Sequence, residues 1–275
     1  MKKRLFFLFH LLIGFSISVF AQSDLLVTPF RVVFEGNKQK ELLNLVNMGK
    51  DTTVYSISFV QKNMNEDGSF VTIEELVPDQ NFADPFIRIF PRQITLGPQE
   101  AQTIIVQYRK KADIAAGEYR SHLYFRSEKD YKALGDKSGG KDTKSLSVQL
   151  IPIYGMSIPV IIRTGETNAS ATLSDLKLET QVGTYQNLNL NINRSGNISL
   201  YGDLQVEFIP EKGKANVIAT VTGVGVYTNL SRRNISLRLD VLKVGKLTKG
   251  KLKVTYSIGG GEKALVYAVS SLVIE

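Results

Sequence analysis

The chain has 275 residues, a formal net charge of +8, no Cys, no Trp and two His. The lack of Cys excludes a disulfide framework, thiol catalysis and cysteine-held metal sites. Lys and Arg are scattered, with only short clusters such as Arg109–Lys111 and Lys243–Lys253, so the positive balance reads as solvated strand faces and turns, not as a nucleic-acid surface.

The N-terminus is a targeting pattern. Lys2, Lys3 and Arg4 precede an apolar stretch from Leu5 to Phe20, and Val19 and Ala21 fit the small-residue positions of a cleavage site. Residues 1–21 therefore read as a cleavable secretory signal peptide, which predicts export. Cleavage would remove three cationic side chains and leave a charge of about +5 (8 − 3) on about 254 residues (275 − 21). No later stretch approaches the roughly 18 apolar residues of a membrane helix, so the exported chain is expected neither to span a membrane nor to meet nucleic acid.

After the signal, helical periodicity is scarce. Leu25–Phe34, Lys40–Asn47, Thr53–Gln61, Phe86–Phe90, Gln102–Tyr108, Gly117–Arg126 and Leu146–Arg163 are strand-like runs rich in β-branched and aromatic residues. Turn chemistry separates them: Glu35-Gly36-Asn37, Asn65-Glu66-Asp67-Gly68 and Leu96-Gly97-Pro98-Gln99 favour tight reversals. Ser127–Lys144 carries Gly135, Gly139, Gly140 and many charges, and is long for a hairpin connection, which predicts a functional or disordered loop.

Leu146–Arg163 is the most informative run. Leu146, Val148, Leu150, Tyr154, Met156, Ile158, Val160 and Ile162 share one face at period two. Pro152 and Pro159 cannot donate to a ladder, so the strand is expected at a sheet edge. An apolar edge is an aggregation hazard unless something pairs with it, and a partner chain is the expected something.

The second half repeats the pattern. Ala171–Leu178, Leu188–Ile192, Gly202–Ile209, Ala215–Gly223, Arg233–Leu239, Gly250–Ile258 and Leu265–Val273 follow a turn at Thr164–Glu166. Strands in two near-equal sets predict an all-β protein of two immunoglobulin-like β-sandwich domains in tandem, residues 22–163 and 164–275. One large barrel fits the length less well.

Catalytic chemistry finds no footing. His122 is the only His after the signal and sits in an alternating strand run, where a structural role is expected. No Ser–His–Asp spacing, HExxH or calcium-loop pattern occurs. Glu74, Glu75, Asp79 and Asp84 read as solvated loop charges, and Gly223-Val224-Gly225 and Gly259–Gly261 open no helix that would cradle a phosphate. The expectation is a non-enzyme with no metal and no cofactor.

Several segments in order resemble the periplasmic pilus-assembly chaperones, the PapD-like family: Thr28–Gly36 its opening strand, Asn44–Asn47 its next strand, Phe90–Gln102 its proline- and leucine-bearing turn region, and Gly117–Phe125 its sixth strand. Gly225-Val226-Tyr227 and Gly250–Val254 resemble parts of its second domain. The resemblance implies a chaperone that captures pilus or fibre subunits and hands them to an outer-membrane usher. It lends the subunit an edge strand, with Leu146, Val148 and Leu150 as the donated side chains. It also implies that Arg31 anchors the terminal carboxylate of the subunit, and Arg163 matches the family's arginine at the end of the last strand of the first domain. The family's cleft Lys has no counterpart, because Ser157-Ile158-Pro159-Val160 holds no base. The alternative is a structural or adhesive envelope module that uses the same sandwiches for static contacts.

Overall fold

The structure, a computed structural model, describes residues 24–74, 80–111, 114–128, 155–180, 186–241, 244, 247, 249–259 and 264–275. Residues 1–23 and the whole of 129–154, with Leu146, Val148 and Leu150, lie outside the described residues.

The first domain holds β1 (Leu25–Thr28), β2 (Val32–Phe34), β3 (Lys40–Asn47), β4 (Thr53–Val60), β5 (Lys62–Met64), β6 (Phe70–Thr72), β7 (Ile87–Phe90), β8 (Gln93–Leu96), β9 (Ala101–Tyr108), β10 (Gly117–Glu128) and β11 (Gly155–Thr164). One sheet runs β1-β3-β9-β7 and the facing one β2-β11-β10-β4-β8, with β5 and β6 as a separate hairpin. Alternate residues from both sheets, among them Leu43, Leu45, Ile104, Val106, Leu123 and Phe125, meet in one core.

The second domain holds β12 (Ala169–Thr180), β13 (Gln186–Gly196), β14 (Leu200–Pro210), β15 (Asn216–Val226), β16 (Arg232–Leu239), β17 (Gly250–Ile258) and β18 (Leu265–Ile274). Its sheets run β12-β13-β16 and β15-β14-β17-β18. Leu188, Leu190 and Ile192 face Leu204, Val206, Leu252 and Val254 across its core. The protein is thus all-β, two immunoglobulin-like sandwiches in tandem.

Three details depart from the strand runs read in the sequence. The run Leu25–Phe34 divides: β1 pairs with β3 in one sheet, and beyond Pro29 the chain crosses to the other, where β2 pairs in parallel with β11. The buried set shifts at the crossing, from the odd positions Leu25 and Val27 to the even positions Val32 and Phe34, yet all four side chains enter the same core. The β5–β6 hairpin and β8 are the second departure; they are too short for a period to register.

The third concerns the expected edge. Over Val160–Ile162, β11 is enclosed between β10 and β2, so it is an interior strand there. Over Gly155–Pro159 it pairs with β10 alone among the described residues. Pro159, opposite His122, stands where the second ladder stops, a position that needs no amide hydrogen on the open side.

Candidate functional site

Strand β10 sets up the junction between the domains. Its odd positions, Tyr119, Leu123 and Phe125, enter the core, while its even positions Glu118, Arg120 and His122 are polar and still buried or nearly so. A strand covered on both faces yet polar on one must satisfy those groups in the surface that covers it. Here that surface is the second domain.

Glu118 is the hub. Its side chain has no solvent exposure and accepts from Arg120 Nη2 (2.6 Å), Arg163 Nε (3.2 Å), Ser199 Oγ (2.8 Å) and the Ser199 amide (3.0 Å). Burial alone would raise its pKa, but the Arg120 charge and the Ser199 and Arg120 hydrogen bonds outweigh it and hold the carboxyl below its ordinary value. Arg163 also donates to Ser199 O (3.3 Å) and lies 3.7 Å from Glu35, so it is committed to tying the domains together.

Beside this hub three guanidinium groups line one interdomain cavity of about 320 Å³. Arg31, just before β2, lies over the Tyr201 ring at 4.3 Å. Arg120 stacks on Tyr227 at 3.6 Å and bonds Ser199 Oγ at 2.7 Å. Arg233, from β16, donates to Gly225 O and packs against Gly68, where a Cβ would collide with the guanidinium. Each of the three has a buried Nε with no hydrogen-bond partner among the described residues. Burial, and then the charges of Arg120 and Arg163, pull Arg31 below the usual arginine value; burial does the same to Arg233. Phe70, Tyr201, Tyr227 and Pro159 supply the apolar walls.

The β5–β6 hairpin closes the cavity on one side and grips the second domain. The Asn234 amide donates to Glu66 O (2.7 Å), Arg232 pairs with the Glu66 carboxylate (2.9 Å), and Asn229 Nδ2 donates to Met64 O (2.9 Å). Phe70 of the hairpin packs against Tyr227 and His122. His122 is buried, with Nε2 3.3 Å from Tyr227 Oη; burial, then Arg120 and Lys62, push its pKa down to about 3. It is a neutral packing residue at the interface.

Of the residues singled out from sequence, Arg31 lines the cavity and Arg163 does not. Leu146, Val148 and Leu150 lie outside the described residues. Arg120, Arg233, Tyr201 and Tyr227 are additions that the sequence reading does not reach. For Arg120 a signal exists: Glu118, Arg120 and His122 at alternate positions put three polar groups on one face of an otherwise apolar strand. Arg233 carries none, because its place depends on how the domains meet. Among the described residues no cluster of His, Asp or Glu is placed to hold a metal, and no helix is long and apolar enough to cross a membrane.

No family model and no curated protein matches the chain. Similar solved structures include the YadV chaperone, 10% identical over 92% of this chain and 100% of that one, with a TM-score of 0.44. The CsuC–CsuE chaperone–tip adhesion subunit pre-assembly complex, from archaic chaperone-usher Csu pili of Acinetobacter baumannii, is 14% identical over 90% of this chain and 99% of that one, with a TM-score of 0.44. The Pseudomonas aeruginosa CupB2 chaperone is 12% identical over 89% of this chain and 100% of that one, with a TM-score of 0.42.

Proposed function

We propose that this chain is a periplasmic chaperone, exported by its cleavable signal, that binds surface-fibre subunits by strand addition and passes them to an outer-membrane usher. The observation that carries the reading is the register at the β11 edge. β2 runs parallel to β11 and begins its pairing at Val32–Val160, leaving Gly155–Pro159 open on that side among the described residues. A foreign strand lying along the open edge, in line with β2 and in the same direction, would end against Arg31. Its terminal carboxylate would then meet a buried guanidinium whose Nε has no partner among the described residues. Paired charge-assisted bonds suit that contact. Arg120, in the same cavity, supplies the second cation that Ser157–Val160 does not.

The donated side chains in this reading are Leu146, Val148 and Leu150, which precede the open edge on the same strand run. Each buried Leu or Val is worth roughly 1.5–3 kcal/mol before ordering costs are subtracted. Co-expression with a subunit that lacks its last strand tests the proposal. Val148→Asp should abolish co-purification, and Arg31→Gln should weaken it, with circular dichroism and melting unchanged for Val148→Asp. Recovery of the subunit with Val148→Asp at wild-type yield would refute strand donation.

A further inference from the structure

We propose that the interdomain cavity is built for a dianion and that Arg233 of the second domain is the residue that sets this preference. Resting on the chaperone reading, the natural ligand is then the carboxyl end of a fibre subunit whose last residue carries a side-chain carboxylate of its own.

Arg31, Arg120 and Arg233 line the cavity, and Arg163, bonded to the Glu118 that Arg120 also holds, adds its charge to the field at Arg31. Among the described residues the only fully buried carboxylate at the cluster is Glu118, and Arg120 and Arg163 already share it. Glu35, Asp67 and Asp203 are also near. Glu35 is 58% exposed and Asp67 is exposed and bonded to Ser69, so water screens both; Asp203 is half-buried and its carboxylate is held by the Gly223 amide. At the cluster, among the described residues, four partly buried guanidiniums therefore stand against one fully buried carboxylate. A single incoming carboxylate has two oxygens, enough to engage the forks of two arginines. A third cation, brought from the other domain and carrying its own unpartnered Nε, is left over. A second negative charge satisfies it. The cavity, at about 320 Å³, lies at the small end of the range for small-molecule sites, which suits one terminal residue and not a folded segment.

A free dianion such as inorganic phosphate shares this chemistry, so the test separates the sources. The mature protein is titrated calorimetrically with N-acetyl-Phe-Glu, N-acetyl-Phe-Gln and inorganic phosphate. The first two differ in one charge at nearly constant shape. The Glu peptide should bind about tenfold more tightly or better, the size of one buried charge-assisted hydrogen bond. Arg233→Gln should erase that ratio while leaving the Gln peptide's affinity nearly unchanged; Arg31→Gln should weaken both peptides. Arg233→Lys keeps the charge and should retain part of the preference, which guards against a mere folding defect in Arg233→Gln. Phosphate displaced by the Glu peptide, with the same dependence on Arg233, supports one shared dianion site. Equal affinity for the two peptides, a preference that survives Arg233→Gln, or phosphate that the Glu peptide does not displace overturns the proposal. Because no fibre protein is used, the outcome is separable from strand donation: the dianion preference can persist when Val148→Asp leaves capture intact, and capture can be lost when the preference is absent.

Discussion

Replacing Glu118 by Gln should be the most damaging polar substitution in the molecule. The carboxylate is wholly buried and receives four hydrogen bonds from three residues, two of them guanidinium groups. Gln keeps the shape and one acceptor oxygen but turns an amide donor toward groups that also donate. Arg120 and Arg163 would keep their charges in a site from which solvent is largely excluded, their side chains being 10% and 16% exposed. Breaking a buried pair in this one-sided way costs about 3–5 kcal/mol, because the uncompensated charge remains buried. Urea denaturation of a chain beginning at Gln22 measures it at neutral pH. The loss should be coupled to the second domain: a double-mutant cycle with Ser199→Ala should return an interaction energy of about 0.5–3 kcal/mol, the range for residues sharing one network. A Glu118→Gln variant within about 1 kcal/mol of wild type would show that water, not Glu118, carries the two arginines, and the reasoning would fail.

Other outcomes follow from the same structure. His122 has a folded pKa near 3 against an ordinary value of 6.5, so between those limits the unfolded chain binds the extra proton and stability falls as pH falls. From pH 7 to pH 5 this group should cost about 2 kcal/mol, and urea curves of His122→Gln at the two pH values should show a loss smaller by that amount. Glu118 acts in the same direction but lower: its folded pKa lies below the ordinary 4.5, so its contribution is complete above that value and disappears as pH drops through the folded one. Glu66→Ala removes an ion pair whose side chains are 51% and 46% exposed, while the Asn234 amide keeps its bond to Glu66 O; stability should change by no more than about 1 kcal/mol. Leu123→Ala, at a fully buried position on β10, should cost about 2–5 kcal/mol by the same assay.

Sequence pattern reaches the fold further than it reaches the cleft. The second-domain runs correspond one for one with β12–β18 because long strands with one buried face impose period two on many residues. Leu25–Phe34 reads as a single strand because the run is apolar on both sides of Pro29, although the buried phase moves from odd to even positions between Val27 and Val32, where the chain changes sheet. Pro159 correctly marks a place where a ladder stops, yet the next three residues of β11 are interior, since one proline constrains one bond and not a whole strand. In the cleft, Arg31 is visible through family resemblance. Arg233 and the Glu66 hairpin lie far from it in sequence and approach only because the two domains dock, so no local spacing could connect them.

In the proposed function the segment around Val148 pairs with a foreign strand whose end lies at Arg31. Two engineered cysteines in this cysteine-free chain test it most directly: one at Val148, and in a separate variant one at Phe30, which is exposed beside Arg31. Each is combined with single cysteines placed along the last residues of a co-expressed fibre protein, and disulfides are mapped by mass spectrometry. Phe30→Cys should link only to the terminal residues of that protein and Val148→Cys to residues further from its end, in one parallel register. Links in the opposite order, or none from Val148→Cys while the two proteins still co-purify, would contradict it.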